Sequence, residues 1–347
     1  MFSVGIIGLP NVGKSTLFKA LTKKQVDISN YPFTTIEPNV GVVAVPDERL
    51  DKLAQVFSPP KVTPTVIEFV DVAGLVRGAH KGEGLGNQFL SHIREVDVIC
   101  QVVRSFQSEK VSHIEGSVSP KRDIETINLE MIAKDLETVE RKLEKTGDEA
   151  KSGDKKAVEE LEQLEKMKKW LNDENLIRDI LNFKDFEPLA SKELSLLTAK
   201  PIIYLYNVAD EDLQSEPSLG NLLELDLRLE AEISELSETE IKELGILPSR
   251  LDRLIKICYD VLNLITFYTI VGQQELRAWT LKTGGSAFEA AGLIHSDFQQ
   301  KFIKAEVIEW QELIKAGSWH QAREKGWVGT EGRDYLVKDG DVIEIKT

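Results

Sequence analysis

A glycine-rich octapeptide near the N-terminus constrains this chain more than any other feature. Residues 8–15 read Gly-Leu-Pro-Asn-Val-Gly-Lys-Ser and match the pattern G-x-x-x-x-G-K-[ST]. The apolar run 4–7 before them predicts a buried strand, and residues 16–21 after them predict a helix. A strand, a glycine loop and a helix in this order are typical of a P-loop, which holds phosphate groups. A chance glycine turn would not be expected to have both flanks.

Each residue type in this loop has a physical role at a phosphate. Gly8 and Gly13 allow backbone angles and a close approach that a Cβ atom would block. Backbone N–H groups and the partial positive charge of the helix N-terminus then face the phosphates. Lys14 is expected to reach the β- and γ-phosphates as a catalytic residue, and the Ser15 hydroxyl is expected to bind Mg²⁺.

A second motif follows the next strong strand. Residues 65–70 predict that strand, which leads directly into Asp71-Val72-Ala73-Gly74. A carboxylate at this strand end can hold Mg²⁺ through water, and the N–H of Gly74 can reach a γ-phosphate. The turn-rich stretch 29–39 places Thr35 where a phosphate-sensing loop would lie. Together these features are similar to the two switch regions of GTPase-type proteins.

The group that positions the attacking water is an open question. Ras-like proteins have a glutamine directly after the glycine of this motif, whereas this chain has Leu75, whose side chain forms no hydrogen bond. The candidates are His80 in the following glycine-rich loop, Asn11 in the P-loop and a residue from a partner. An exposed loop histidine without a catalytic role is an equally good interpretation of His80. Without a glutamine or an arginine finger, we expect slow intrinsic turnover.

The base-binding end of the site departs from the guanine-specific pattern. The β-run 202–206 ends at Asn207-Val208-Ala209-Asp210, where guanine-binding proteins have N-K-x-D. Val208 replaces the lysine that would stack on the base, while Asp210 retains a carboxylate that can accept from guanine. Farther along, Asp226-Leu227-Arg228 stands where such proteins have S-A-K. The residues alone therefore leave both ATP and GTP open as the substrate.

Charge and composition exclude several classes of protein. The net charge of −15 argues against bulk attraction of nucleic acid, although much of the excess lies in 209–245, with twelve acidic residues against two basic ones. The chain has no run of 18 or more apolar residues, so no spanning helix is expected, and because the predicted strand starts within a few residues of Met1, no signal peptide is expected. Cys100 and Cys258 lie in apolar surroundings, which indicates reduced thiols in a cytoplasmic protein.

The P-loop motif and the hydrophobic periodicity together predict an α/β fold: a P-loop NTPase with a Rossmann-type sheet and an inserted helical hairpin. Apolar residues at steps of three and four from 123 to 170 predict two long helices, and 145–148 and 151–154 both offer a break. The antiparallel hairpin, residues 123–198, is either a solvated structural arm or a docking arm. The predicted nucleotide-binding domain consists of residues 1–122 and 199–263.

The remainder, residues 264–347, predicts a separate β-rich module. Two of its strands, 335–337 and 342–345, are expected to pair around the turn at Asp339-Gly340. Aromatic and basic side chains in this module offer an RNA or protein surface, although large aromatics in a small domain are more often core residues. They are Trp279, Trp310, Trp319, His320, Arg323, Trp327 and Arg333.

These motifs together resemble the Obg-like ATPases, the YchF-type branch of the translation-factor P-loop proteins. The matching stretches cover nearly the whole chain and are 8–16, 30–33, 35–39, 71–76, 82–87, 277–280, 292–298 and 339–343. The resemblance implies Mg²⁺-dependent hydrolysis with ATP preferred over GTP, and a C-terminal TGS domain of β-grasp fold. The family's fourth motif is of N-x-x-E type, and this sequence departs from it at Asp210.

The resemblance also implies residue roles and partners. Nucleotide contacts are expected from Asn11, Val12, Gly13, Lys14, Ser15, Thr16, Asn207, the backbone of Val208, and Asp210; the implied Mg²⁺ ligands are Ser15, Thr35 and Asp71. Asn11 resembles the P-loop asparagine of relatives in which K⁺ stands in for an arginine finger. The expected partner is the ribosome, ribosomal RNA or tRNA, and a monomer is expected.

Two other functions stay open at this point. One is a GTPase in which Asp210 reads guanine. The other is a non-catalytic adapter whose nucleotide state controls ribosome or RNA binding.

Overall fold

The computed structural model describes residues 1–26, 39–72, 93–108, 116–180, 194–209, 222–244, 249–272 and 274–347. These residues form two β-sheets, with helices and a long helical arm inserted between two strands of the first sheet. The predicted α/β fold with an inserted helical hairpin is confirmed.

The first sheet positions the predicted phosphate site. The strands that precede the C-terminal module are β1 (Ser3–Ile7), β2 (Val40–Ala44), β3 (Lys61–Thr63), β4 (Val66–Asp71), β5 (Val98–Arg104), β6 (Ile202–Asn207) and β7 (Leu222–Leu225). All of them except β3 form this sheet, in the order β2-β4-β1-β5-β6-β7. Only β2 is antiparallel to its neighbour. The parallel strands therefore end at one edge, where the P-loop follows β1 and Asp71 closes β4.

The helices that precede the C-terminal module include those that cover this sheet and those that form the arm. In chain order they are α1 (Lys14–Thr22), α2 (Glu48–Phe57), α3 (Pro120–Lys151), α4 (Lys155–Asn172), α5 (Ile177–Ile180), α6 (Leu227–Ile233), α7 (Glu238–Glu243) and α8 (Leu251–Val261). Leu17 of α1 and Leu254 of α8 share one buried core with the strands, and both cysteines lie in it as thiols. Within the described ranges, no helix is long and apolar enough to cross a membrane.

The helical arm consists of α3 and α4, which pack along each other. Of the two predicted breaks, the one at 151–154 is confirmed: Gly153 has a φ of 91°, and Asp154 caps α4 by accepting from the N–H of Lys156. The chain does not break at 145–148, because Gly147 continues α3 and faces Leu161 of α4.

Asp135 of α3 anchors the arm beside the sheet. Its carboxylate is fully buried and accepts from the N–H of Leu197 at 2.9 Å and from the N–H and hydroxyl of Thr198, both at 2.7 Å. Burial raises the pKa of Asp135, and the three hydrogen bonds oppose that shift. The arm is thus fastened to the segment that leads into β6.

Asp135→Ala is expected to lower the free energy of unfolding by about 3 kcal/mol, since three buried donors would lose their acceptor. Urea denaturation measures this loss. Glu137→Ala is the matched control, because Glu137 lies on the same helix and its side chain pairs with Lys134 near the surface. A loss below about 0.5 kcal/mol for Asp135→Ala, the size of an ordinary surface substitution, would contradict the anchoring role.

The second sheet forms the C-terminal module. Its strands are β8 (Leu264–Val271), β9 (Glu275–Lys282), β10 (Lys304–Glu309), β11 (Gly329–Glu331) and β12 (Asp341–Lys346), and its helices are α9 (Ala287–Ile294), α10 (Ser296–Gln300), α11 (Trp310–Ala316) and α12 (Trp319–Glu324). The described order is β11-β10-β12-β8-β9-β3. An aromatic and aliphatic core between this sheet and α9 includes Phe267, Phe302 and Ile343.

The predicted pairing of 335–337 with 342–345 is wrong. Strand β12 instead pairs antiparallel with β10 and parallel with β8. Residues 335–337 run beside the start of α9, where Leu336 forms a bridge with Ser286. The cause is the turn: the Asp341 carboxylate accepts from the Lys338 N–H and the Tyr335 hydroxyl, which folds the segment away from β12.

The segment 48–63 packs on the C-terminal sheet rather than on the first one. Strand β3 pairs with β9, and Leu50 and Leu53 of α2 are buried in a core that also contains Tyr268 and Leu313. The predicted range 1–122 assigned this segment to the nucleotide-binding domain. The apolar face of α2 explains the difference, because it is covered by residues of the second sheet.

Candidate functional site

The P-loop packs closely against residues near the ends of β5 and β6. Gly8 and Gly13 have φ of 153° and 109°, in the region that favours glycine. A Cβ atom on Gly8 would lie 2.5 Å from the carbonyl oxygen of Val102, and one on Gly13 would lie 2.6 Å from Nδ2 of Asn207. Both glycines are therefore required by close contacts as well as by backbone angle.

Asn207, a predicted nucleotide contact, braces the P-loop in this structure. Its Nδ2 donates to the carbonyl oxygen of Val12 at 3.0 Å, and its Oδ1 accepts from the N–H of Leu227 at 3.2 Å. The buried amide thus joins the loop to the start of α6. Its contact with a base stays a prediction, and the bracing role explains why an asparagine suits the end of β6.

Val208 directly follows β6, in the stretch predicted to bind the base. Its side chain is buried, and its N–H donates to the carbonyl oxygen of Leu225 at 3.0 Å. The side chain therefore offers no charge or ring face to a base. A backbone contact from Val208, as predicted, would use its carbonyl oxygen.

Lys14 and Asp71 face each other across the sheet edge. Lys14 Nζ donates to the carbonyl oxygen of Leu9 at 2.9 Å, and Asp71 pairs in register with Ile6, two residues before Gly8. Burial lowers the pKa of Lys14, and the nearby Asp71 carboxylate opposes the shift. Burial likewise raises the pKa of Asp71, and the Lys14 ammonium opposes it. Each charge thus stabilises the other at the position predicted for the phosphates.

The oxygen donors at this edge fit Mg²⁺. Ser15 lies exposed in the first turn of α1, and Asp71 presents a half-buried carboxylate at the end of β4. In the described part of the chain, no three His, Cys, Asp or Glu side chains form a metal cluster. Mg²⁺ is usually bound by one or two protein oxygens together with substrate phosphates, and a hydroxyl and a carboxylate suit that mode.

Asn11 and Thr16 flank the glycine turn. Asn11 is exposed, with a φ of 62°, a left-handed conformation that asparagine tolerates better than most residues. Thr16 is half-buried in the first turn of α1, close to Ser15 in sequence. Both therefore lie beside the loop as predicted, while their nucleotide contacts stay predictions.

Several predicted residues lie outside the described ranges. They are Thr35 of the first switch, Gly74, Leu75 and His80 of the second, and Asp210 of the base motif. Their roles stay predictions.

Arg104, at the end of β5, is a residue at this edge that the sequence motifs did not single out. It is 1% exposed and pairs in register with Asn207. Its Nε donates to the carbonyl oxygen of Phe106 at 3.2 Å, and its guanidinium lies 4.5 Å from the centre of the Phe106 ring. Arg104 therefore holds the segment that follows β5, next to the Asn207 side chain that braces the P-loop. An arginine at the end of a mostly apolar strand was the available signal.

The aromatic and basic residues of the C-terminal module divide between packing and surface. Trp310 and Trp319 pack partly against the buried core, and Trp279 donates to the Thr269 hydroxyl at 2.9 Å. Trp327 is 38% exposed, with Lys325 over its ring. Arg323 binds two carboxylates on the sheet surface. Most of these side chains are thus engaged within the module.

Family models match two parts of the chain. Residues 3–144 match the family described as 50S ribosome-binding GTPase. Residues 264–347 match the C-terminal model of YchF-type GTPases, described as a protein of unknown function.

Full-length relatives are also similar to this chain. The protein named ribosome-binding ATPase YchF of Bacillus subtilis (strain 168) is 46% identical over 99% of this chain and 98% of its own length. The protein of that name from Escherichia coli O157:H7 is 45% identical over 99% of this chain and 98% of its own length. The solved structure of the Schizosaccharomyces pombe YchF GTPase is 36% identical, with a TM-score of 0.84, and covers 99% of this chain and 97% of that one.

Proposed function

The chain belongs to the YchF family of P-loop nucleotide hydrolases, and we propose that it is a Mg²⁺-dependent ATPase whose nucleotide state controls binding to the ribosome. One observation carries the chemical part of the proposal. Lys14 and Asp71 converge at the sheet edge where the braced P-loop begins. The ribosome as partner and ATP as substrate are taken from the names of relatives that match this chain over nearly its full length.

Positioning and electrostatics supply the catalysis. The Lys14 ammonium exchanges the Leu9 carbonyl oxygen for oxygens of the β- and γ-phosphates and stabilises charge that develops during transfer. Loop N–H groups and the N-terminus of α1 act in the same direction. Ser15, Thr35 and Asp71 would hold Mg²⁺, and the ion would supply neutralisation of the phosphate charge.

The residues at the strand end, 207–210, bear on which base is bound. Val208 removes the lysine that guanine-specific proteins stack on the base, which favours ATP. Asp210 retains a carboxylate suited to guanine, so GTP is the second candidate.

Competition binding with ATP and GTP against a fluorescent ADP analogue decides between them. We expect ATP to compete at lower concentration. If GTP bound tenfold more tightly, about 1.4 kcal/mol, the ATPase assignment would be overturned in favour of a GTPase.

Asn11 is proposed to make hydrolysis K⁺-dependent. In Asn11→Gly, the left-handed backbone is retained and the side chain is lost, so the change is confined to the amide. We expect wild-type hydrolysis to be roughly tenfold faster in KCl than in NaCl, about 1.4 kcal/mol of barrier, and the variant to lose this difference. Phosphate release in the two salts measures it. Equal rates for the wild type would contradict the role.

A function at the ribosome also implies a cellular location and an oligomeric state. We propose a cytoplasmic protein that acts as a monomer, since ribosomes are cytoplasmic particles large enough to present one site to one chain. A non-catalytic adapter, which binds the ribosome or RNA in a nucleotide-dependent way, is the remaining alternative. Ribosome binding that is unaffected by loss of hydrolysis would favour the adapter.

A further inference from the structure

Four side chains join the first sheet to the C-terminal module. We call them the junction cluster: Asp47, which caps α2 after β2, Arg49 in the first turn of α2, and Tyr268 and Asp339 of the C-terminal module. The Arg49 guanidinium donates from Nε and Nη2 to the two oxygens of Asp47, at 2.8 and 3.0 Å, and from Nη1 to Asp339 at 2.5 Å. One arginine therefore links carboxylates from both parts of the protein.

Tyr268 closes the cluster from the core side. Its hydroxyl donates to Oδ2 of Asp47 at 2.5 Å, and its ring is fully buried with the Arg49 guanidinium 5.7 Å from the ring centre. Asp339 is held in turn, since its Oδ1 accepts from the N–H of Thr266 on β8 at 2.8 Å. Every member therefore has a partner on another member or on the second sheet.

The cluster differs from an ordinary surface ion pair. The Asp47 side chain is only 8% exposed and that of Arg49 25%, and the pair is bidentate. Such pairs have a fixed geometry, whereas exposed pairs contribute little. Burial alone would raise the pKa of Asp47, but hydrogen bonds from Arg49 and Tyr268 lower it overall. The cluster therefore fixes the relative positions of Asp47 and Arg49, in addition to the attraction between their charges.

Strand β2 connects this cluster to the phosphate edge. It pairs with β4 over five residues, from Val40 opposite Val70 to Ala44 opposite Val66. The N–H of Asp71 donates to the carbonyl oxygen of Asn39 at 2.9 Å, directly before β2. The predicted Mg²⁺ carboxylate and the junction cluster thus lie at opposite ends of one hydrogen-bonded strand.

The segment after the cluster is built into the C-terminal module. Helix α2 buries Leu50 and Leu53 in that module's core, and β3 adds an edge strand to its sheet. Any displacement of β2 is therefore carried into the second sheet by both the cluster and the packing. A cavity of about 390 Å³ beside the cluster, lined by Lys256 and Asp260 among others, leaves room for side-chain rearrangement.

We propose that the junction cluster couples the nucleotide state at the Asp71 edge to the C-terminal module, with Arg49 as the positioning residue. The inference rests on the proposed nucleotide-controlled switch and names the route by which the switch reaches the second sheet. Arg49 takes no part in hydrolysis itself.

The test compares Arg49→Ala with Arg323→Ala in the full-length protein. Arg323 is a matched control because it also links two carboxylates, Glu306 and Glu344, but within the C-terminal module alone. Tyr268→Phe is a second, milder variant, since it keeps the buried ring and removes only the hydroxyl. Thermal unfolding establishes that each variant is folded at the assay temperature.

Hydrogen exchange of the β8 and β9 amides is the readout, with a non-hydrolysable ATP analogue and with ADP. For the wild type and Arg323→Ala we expect exchange rates that differ between the nucleotides by roughly fivefold or more. In Arg49→Ala this difference should be lost, and in Tyr268→Phe reduced, with ADP affinity unchanged. An undiminished difference in Arg49→Ala, its absence in the wild type, or its equal loss in Arg323→Ala would overturn the proposal.

Ribosome co-sedimentation of the same proteins separates this inference from the proposed function. If the exchange difference is present but ribosome binding is the same with both nucleotides, the proposed switch fails and the coupling stands. If ribosome binding responds to nucleotide equally in the wild type and Arg49→Ala, the switch stands and the coupling fails.

Discussion

Lys14→Ala is expected to lower the rate of ATP hydrolysis by roughly 10²–10³-fold or more, the cost of removing one preorganised charge-stabilising group. Lys14 lies at the edge of the first sheet where the phosphates are predicted to bind. Its ammonium donates to the Leu9 carbonyl oxygen and is attracted by the Asp71 carboxylate. Its charge is used most in the transition state, so the loss should fall on turnover more than on ADP binding. Single-turnover phosphate release measures the first and fluorescent ADP titration the second.

Lys19→Ala is the matched control for this result. Lys19 lies on the same helix, with a side chain 68% exposed and 3.5 Å from Glu235 at the surface. Its removal should leave hydrolysis unchanged, because an exposed pair contributes little to structure or to the site. Wild-type turnover in Lys14→Ala would refute the assignment of the phosphate site.

Gly13→Ala is expected to destabilise the protein by about 2–4 kcal/mol, from backbone strain and overpacking together. The new methyl group would lie 2.6 Å from Nδ2 of Asn207 and 3.0 Å from Cδ1 of Leu227. Asn207 could not yield without releasing the Val12 carbonyl, so the brace of the P-loop would break. Nucleotide affinity should therefore fall roughly 100-fold or more. Urea denaturation and ADP titration measure the two effects.

Gly147→Ala tests whether this effect is specific to the loop. Gly147 lies within helix α3, where an added methyl would meet only Leu161, at 4.0 Å. This variant should gain about 0.5–1 kcal/mol of stability, because alanine is the better helix former. If Gly13→Ala were as stable as the wild type and still bound ADP, the close contacts described for the P-loop would be wrong.

The parts of the site that the sequence predicted are the local ones. A strand, a glycine loop and a helix follow each other in the chain, so the P-loop could be identified from residues 4–21 alone. Asp71 was identifiable because it ends a strongly apolar strand. The arm was identifiable because a 3.6-residue period extends over many turns of two helices.

The features that the sequence did not reveal depend on contacts between distant residues. Asn207 braces Val12 across 195 positions, and no local pattern distinguishes such a brace from a base contact. The amphipathic pattern of α2 predicts that one face of the helix is buried, but it does not predict which sheet covers that face. The turn at Asp339-Gly340 was predicted to join two paired strands, whereas its carboxylate binds Arg49 and β8.

Ribosome co-sedimentation of the wild-type protein with two nucleotides tests the central claim most directly. The protein is pelleted with ribosomes in a non-hydrolysable ATP analogue and, separately, in ADP, with Mg²⁺ and K⁺ present. We expect affinities that differ by roughly fivefold or more, a coupling of about 1 kcal/mol, because the proposed switch requires the two nucleotide states to bind the ribosome with different affinities. Equal affinity with both nucleotides, or no binding with either, would contradict the account.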